Sequence, residues 1–313
     1  MTHRHESVRI RLTQGHEGHE GHEGHEGHEG YEVQAYVDGD LARAGERVLL
    51  ALNGGPGLPC DYLREPHQWL LDEGFALVCF DQLGCGRSDR PDDPALWTLA
   101  RYVDEVEQVR TALGIERFAL LGHSWGTWLG TEYCLTHPSR VSRYIIADGA
   151  CDIPQLRGEL ERLRAALGPE TVAMMRAHEV AGTLTHPEYV AAVTLLNYRH
   201  VCRLKDWPDA LTRSLAQWND GPRGPYCTMQ GPNEFTYTGN MREWNRVPDM
   251  KDIAVPTLVV CGEHDELTPT CSRAMFDALP DARLSVIPEA SHMPFYETPE
   301  RYRSILRAFL LGT

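Results

Sequence analysis

No apolar stretch of 18 or more residues occurs in the 313-residue sequence, which excludes a helical membrane span. The first fourteen residues, MTHRHESVRIRLTQ, contain no apolar run, so no secretory leader is expected. The nine cysteines are odd in number and irregularly spaced, without a C-x-x-C pair, which argues against a disulfide framework. They read as reduced, mostly buried thiols of a cytoplasmic protein. Cationic side chains are in the minority: 30 Lys and Arg against 45 Asp and Glu give a net charge of −15. Without a basic stripe, nucleic acid and anionic membrane are excluded as expected partners. Hydrophobic residues make up 42% of the chain, enough for one large α/β domain with or without an insertion.

The most conspicuous stretch present is GHEGHEGHEGHEGHEG at residues 15–30, five Gly-His-Glu triplets in succession. It lies between two alternating segments, 6–13 and 31–38, that would pair as a hairpin. Glycine at every third position opposes helix and weakens strand, and alternating His and Glu offer no face to bury. The stretch reads as a solvated hairpin loop that takes up Ni²⁺, Cu²⁺ or Zn²⁺ adventitiously, since imidazole suits these ions. Nothing in it fixes a ligand geometry. A metal-storage or sensor protein built on the repeat is the competing reading from another class.

Short apolar runs at 47–52, 75–80, 118–121, 143–148, 256–262 and 283–288 have the character of buried parallel strands, with helical stretches between them, the clearest at 98–113. This alternation predicts an α/β fold with a mostly parallel, doubly wound sheet. From about 152 to 247 the strand signal gives way to amphipathic helices at 155–167, 169–181, 187–204 and 208–218. The expected organisation is a core formed by 1–151 and 248–313 and an inserted helical lid over 152–247.

The chemistry is carried by FALLGHSWGTWLG, residues 118–130. A strand enters Gly122-His123-Ser124-Trp125-Gly126 and a helix leaves it, which is G-x-S-x-G in its required strand–turn–helix context. Ser124 is the expected nucleophile. It needs a base and an orienting carboxylate, in the chain order Ser, acid, His. PTLVVCGEHDELTP supplies Asp265 after a late strand, with Asp148 after RYIIAD as the rival. RLSVIPEASHMPFYETPE supplies His292, the one histidine beyond Asp265. An oxyanion hole needs two backbone amides: one from Trp125, the other from the Asn53-Gly54-Gly55-Pro56-Gly57 loop, where glycine permits close approach. Ser124 rules out the aspartate-nucleophile dehalogenases and epoxide hydrolases of this architecture. The reading requires no metal and no cofactor.

NGGPG at 53–57, DQLGCGRSD at 81–89, GHSWG at 122–126, GEHD at 262–265 and SHMPFYE at 291–297 together resemble the proline iminopeptidase family of α/β-hydrolases. The resemblance runs from about residue 31 to the C-terminus. It implies an α/β-hydrolase fold with an inserted helical lid, a Ser124–Asp265–His292 triad, and oxyanion amides from Gly55 and Trp125. Asn53 stands where the family usually has His. GPNEFTYTGNMREW, residues 231–244, is similar to the subgroup containing the tricorn-interacting aminopeptidase and bacterial amino-acid amidases, and implies that Glu234 binds the substrate's free α-amino group. Glu179 and Glu188 are candidates for a second acid. Trp207, Trp218, Tyr226 and Phe235 are candidates for apolar walls. The resemblance thus implies a cytoplasmic serine aminopeptidase that releases proline or another small apolar residue from short peptides or amino-acid amides. The alternative is a hydrolase of small-molecule esters, amides or lactones in a biosynthetic pathway, because fold does not fix substrate.

Overall fold

The structure is a computed structural model that describes residues 3–13, 30–220, 223–234 and 236–312. The triplets at 15–29 and Phe235 lie outside the described residues.

Eight strands form one sheet: β1 (His5–Arg11), β2 (Glu32–Asp38), β3 (Val48–Leu52), β4 (Ala76–Asp81), β5 (Phe118–His123), β6 (Val141–Ala147), β7 (Thr257–Gly262) and β8 (Ala282–Ile287). Their order is β1-β2-β4-β3-β5-β6-β7-β8. The first two strands pair antiparallel to each other, β2 pairs antiparallel to β4, and every later pair is parallel. The α/β expectation and the strand positions hold. Central strands such as β3 (VLLAL) and β5 are buried throughout, which is why their sequences are continuous apolar runs instead of alternating ones.

Alternation survives as a division between the two sheet faces. Val48, Leu50 and Leu52 face one core cluster, with Tyr102, Val106 and Val109 of the helix Leu99–Ala112. Leu49 and Ala51 face the other, with Tyr302, Leu306 and Phe309 of the helix Pro299–Leu311. Side chains of successive strand residues point to opposite faces, so each strand contributes to both cores.

This topology also places the site. From β3 the chain crosses to β4 on one side; from β5 it crosses to β6 on the other. At such a reversal the loops leaving two adjacent strands diverge and open a crevice at their carboxyl ends. The Asn53–Gly57 loop leaves β3 there and Ser124 follows β5.

Between β6 and β7 lie the helices Ile153–Ala165, Pro169–Ala181, Pro187–His200, Asp209–Asn219 and Gly224–Met229. The two ends of this insertion clasp each other: Asn245 Nδ2 donates to Asp152 at 2.8 Å, and the Ile153 amide donates to the Trp244 carbonyl at 3.0 Å. Met175, Tyr189, Ala192 and Leu196 form a small core of its own. The third helix ends at His200, short of the 204 expected from its pattern. The physical reason is that the His200 carbonyl accepts amides from Glu266 and His292, both at 3.2 Å, and the chain turns away.

Candidate active site

Ser124 sits at φ 55°, ψ −124°, between β5 and the helix Trp125–Thr136. This left-handed conformation costs a non-glycine residue on the order of 1–3 kcal/mol, and its neighbours hold it. The Ser124 amide donates to the Ala147 carbonyl at 3.1 Å, and the Ser124 carbonyl accepts from the Thr127 amide at 2.8 Å. The flanking glycines are required by space: a Cβ on Gly122 would lie 2.3 Å from the Gly126 carbonyl oxygen, and one on Gly126 would lie 2.1 Å from that of Leu52. The sharp turn leaves Ser124 lining a cavity of about 710 Å³.

His292 lines the same cavity. Its Nδ1 donates to Asp265 Oδ1 at 2.8 Å, and Leu267 donates its amide to the same oxygen at 3.0 Å. A carboxylate at Nδ1 fixes the ring tautomer and leaves Nε2 as the basic atom. Asp265 and His292 are 1% and 3% exposed, so this pair works outside bulk water. Burial disfavours the protonated ring, but the Asp265 charge and its hydrogen bond, with Glu266 and Glu234 beyond, prevail and carry the His292 pKa up to about 9.

On the other side of the serine, a Cβ on Gly54 would lie 3.0 Å from Ser124 Cβ. Gly55 has φ 118° and no room for a side chain beside the Gly57 and Leu58 amides. The Gly54 amide donates to the Tyr62 hydroxyl at 2.7 Å. Trp125 opens the following helix, where backbone amides have no partner within the helix. Of the two expected oxyanion donors, Gly55 lines the cavity with Ser124, and Trp125 follows the serine in the chain.

The sequence and structure have clear relatives. The model of the alpha/beta hydrolase fold family matches residues 47–299. A proline iminopeptidase of Heyndrickxia coagulans is 34% identical over 266 residues, covering 85% of this chain and 91% of that protein. One from Saccharolobus solfataricus is 32% identical, covering 86% of each. Among solved structures, the proline iminopeptidase of Mycobacterium smegmatis superposes with a TM-score of 0.85 at 33% identity and 98% coverage of both chains. VinJ superposes at 0.86 with 33% identity, covering 90% of this chain and 95% of that one. The chain belongs to the proline iminopeptidase family of α/β-hydrolases.

In this family member the cavity that Ser124 lines also holds two acids. Glu234 is partly exposed, and its carboxylate accepts from the Tyr226 hydroxyl at 2.5 Å and from Gln230 Nε2 at 2.7 Å. Glu266 lines the same cavity, with Oε1 3.8 Å from His292 Nε2. Burial, followed by the Glu234 charge, pushes Glu266 up to about 8; burial also raises Glu234, against the bonds from Tyr226 and Gln230. Both carboxyls are thus buried acids of one cavity. Glu179 and Glu188 do not line this cavity. Glu179 pairs with Arg164 at 2.9 Å, and the Glu188 side chain is 68% exposed. Trp207, Trp218 and Tyr226 do line it.

Tyr62, His123 and Gln82 had no role in the sequence reading. The Tyr62 hydroxyl, having accepted from Gly54, lies 2.8 Å from His123 Nδ1 and donates to it; His123 Nε2 then donates to the His292 carbonyl at 2.9 Å. Burial holds the His123 pKa well below the ordinary imidazole value, so this ring is neutral. One hydrogen-bonded chain thus connects the glycine loop, His123 before Ser124, and His292. Asn53 donates to the Leu58 carbonyl and accepts from Gln82, which in turn accepts from the Trp125 indole at 3.0 Å. The residue that replaces the family's usual His therefore braces the glycine loop from inside.

Among the described residues, His178, His186 and Glu188 bring metal-ligating atoms within 4.8 Å of one another, but none of the three lines the cavity. No helix among them is long and apolar enough to cross a membrane, and all nine cysteines are unpaired thiols, eight of them buried.

Proposed function

We propose that the chain is a serine aminopeptidase that releases N-terminal proline, or another small apolar residue, from short peptides or amino-acid amides through an acyl-enzyme. The observation that carries this reading is the Glu234–Glu266 pair in one cavity with Ser124 and His292. The relatives named proline iminopeptidase support the same activity.

In the proposed mechanism, the substrate's ammonium lies between Glu234 and Glu266, where its charge offsets theirs. With the amine fixed, the first carbonyl of the substrate is the one presented to Ser124, so cleavage follows residue one. His292 Nε2 takes the Ser124 proton as Oγ attacks. The Gly55 and Trp125 amides receive the developing oxyanion. The His292 imidazolium, stabilised by Asp265, gives its proton to the leaving amine, and water then repeats the sequence on the acyl-enzyme. The 152–247 helices act as the lid, with Glu234 as its contribution to the site. Reduced thiols throughout accord with action in the cytoplasm.

Aminoacyl arylamides, each with and without N-acetylation, test this reading beside simple aryl esters. Free-amine arylamides should be the substrates by a wide margin. Equal cleavage of acetylated and free compounds would remove the amine anchor and with it the aminopeptidase assignment. A hydrolase of amine-free esters or lactones has no use for two buried acids at the serine.

A further inference from the structure

Asp148 follows β6 as Asp265 follows β7, and the two strands are neighbours in the sheet. Asp148 is fully buried, as is its side chain's surroundings at the β7 end: its backbone amide donates to the Val260 carbonyl at 2.8 Å, and its Oδ1 accepts from the Gly262 amide at 2.9 Å. Its Oδ2 has no donor among the described residues, and the same is true of Asp265 Oδ2. Both residues converge on Gly262, whose amide donates to Asp148 Oδ1 and whose carbonyl accepts the Asp265 amide at 3.3 Å. Two carboxylates so close in a dry site do not both ionise. A single proton between them satisfies both bare oxygens at once.

We infer that Asp148 is a positioning residue: as a neutral carboxylic acid it donates from Oδ2 to Asp265 Oδ2, and so holds the Asp265 carboxylate ionised and oriented toward His292. The division of labour follows from the partners. Asp265 faces the ring that becomes cationic during the reaction, which favours its ionised form. Among the described residues, no cationic side chain pairs with Asp148. The titratable groups around it are Asp265, Glu297, Cys261 and Tyr302, with His292 beyond Asp265. Burial, then the Asp265 charge, drives the Asp148 pKa far above the carboxylate range. The backbone agrees: Asp148 sits at φ 51°, a region tolerated by Asp, Asn and Gly and resisted by other residues.

This inference rests on Asp265 as the triad acid, and the test separates the two. Asp148→Asn replaces the neutral acid with an amide that accepts at Oδ1 and donates at Nδ2. Asp148→Gly removes the donor with no penalty at positive φ. The Asn variant should keep kcat and KM within about threefold of wild type. The Gly variant should lose between about 10- and 10⁴-fold in kcat with KM little changed, the upper figure being the loss when a triad acid fails to hold its histidine. The second arm does not depend on activity. A carboxyl protonated in the folded chain and ionised in the unfolded one, above its ordinary pKa of about 4, destabilises the fold as pH rises. The wild-type unfolding constant should therefore rise relative to that of Asp148→Asn by up to tenfold per pH unit between pH 5 and 8. A ratio flat with pH, an Asn variant as slow as the Gly variant, or a Gly variant as fast as wild type would each overturn the inference. Should the Gly variant fail to fold, the two Asn measurements decide it. Asp265→Asn tests the underlying reading by itself: full activity in that variant would remove Asp265 as the triad acid, whereas the outcomes above bear on Asp148 alone.

Discussion

Glu266 Oε1 lies 3.8 Å from Nε2 of His292, so the proposed amine receptor and the proposed base share one electrostatic environment. With the site empty, Asp265, Glu266 and Glu234 together keep His292 protonated up to a pKa of about 9. A bound ammonium adds a positive charge beside the two glutamates and favours the neutral ring. The acid limb of kcat/KM reports the free enzyme and that of kcat the complex. For a free-amine arylamide the limb of kcat should therefore lie at lower pH than that of kcat/KM, while for an aryl acetate the two should nearly coincide. Glu266→Gln removes a neighbouring negative charge, lowers the His292 pKa and should move the acetate limb to lower pH. Coincident limbs for the arylamide would show that amine and histidine are not coupled.

Replacing the nucleophile is the simplest check. Ser124→Ala should lower kcat by roughly 10⁴- to 10⁶-fold, leaving the residual effect of binding and oxyanion donors. A fluorophosphonate should label Ser124 and no other serine, as read by peptide mass. Retained turnover in the alanine variant would end the acyl-enzyme mechanism.

The hydroxyl of Tyr62 accepts from Gly54 and donates to His123, both in the dry interior. Tyr62→Phe leaves the ring in place and strands both partners. Each buried orphan costs about 1–3 kcal/mol, so denaturant unfolding should detect a loss of that size or somewhat more. The freed Gly54 amide also loosens the loop that carries Gly55, so kcat should fall more than KM rises. A variant as stable as wild type would mean that water takes the hydroxyl's place.

The proposed triad was legible in the sequence because its members obey local rules. Gly122 and Gly126 mark a turn in which no side chain fits, Asp265 and His292 close two late strands, and buried strands such as VLLAL are too uniformly apolar for a loop. Glu266 was not legible. It sits in GEHDELTP beside three other titratable residues, and the feature that turns it inward is a backbone bond to His200, 66 positions earlier in the chain. The Tyr62–His123 bond spans 61 positions and the inferred Asp148–Asp265 pairing 117; neither leaves a periodic or spaced trace. Glu234 was legible only through resemblance, since a lone glutamate in GPNEF gives no sign of the Tyr226 and Gln230 donors that enclose it.

The Gly-His-Glu triplets should be dispensable. The ladder they interrupt is secured before they begin: Arg11 pairs with Glu32, the Leu12 amide donates to the Tyr31 carbonyl at 2.8 Å, and Thr13 exchanges two hydrogen bonds with the Gln108 side chain at 2.7 and 3.0 Å. The hairpin belongs to the edge of the sheet, four strand spacings from β5, or about 19 Å from the nucleophile's strand at about 4.8 Å per spacing. Replacing residues 15–29 by a short Gly-Asn turn should leave kcat/KM within about twofold, because the cost of closing a surface loop changes slowly with its length. EDTA should not inhibit either chain. Loss of activity on chelation, restored by one metal in the intact chain and absent from the shortened one, would place the repeat inside the chemistry after all.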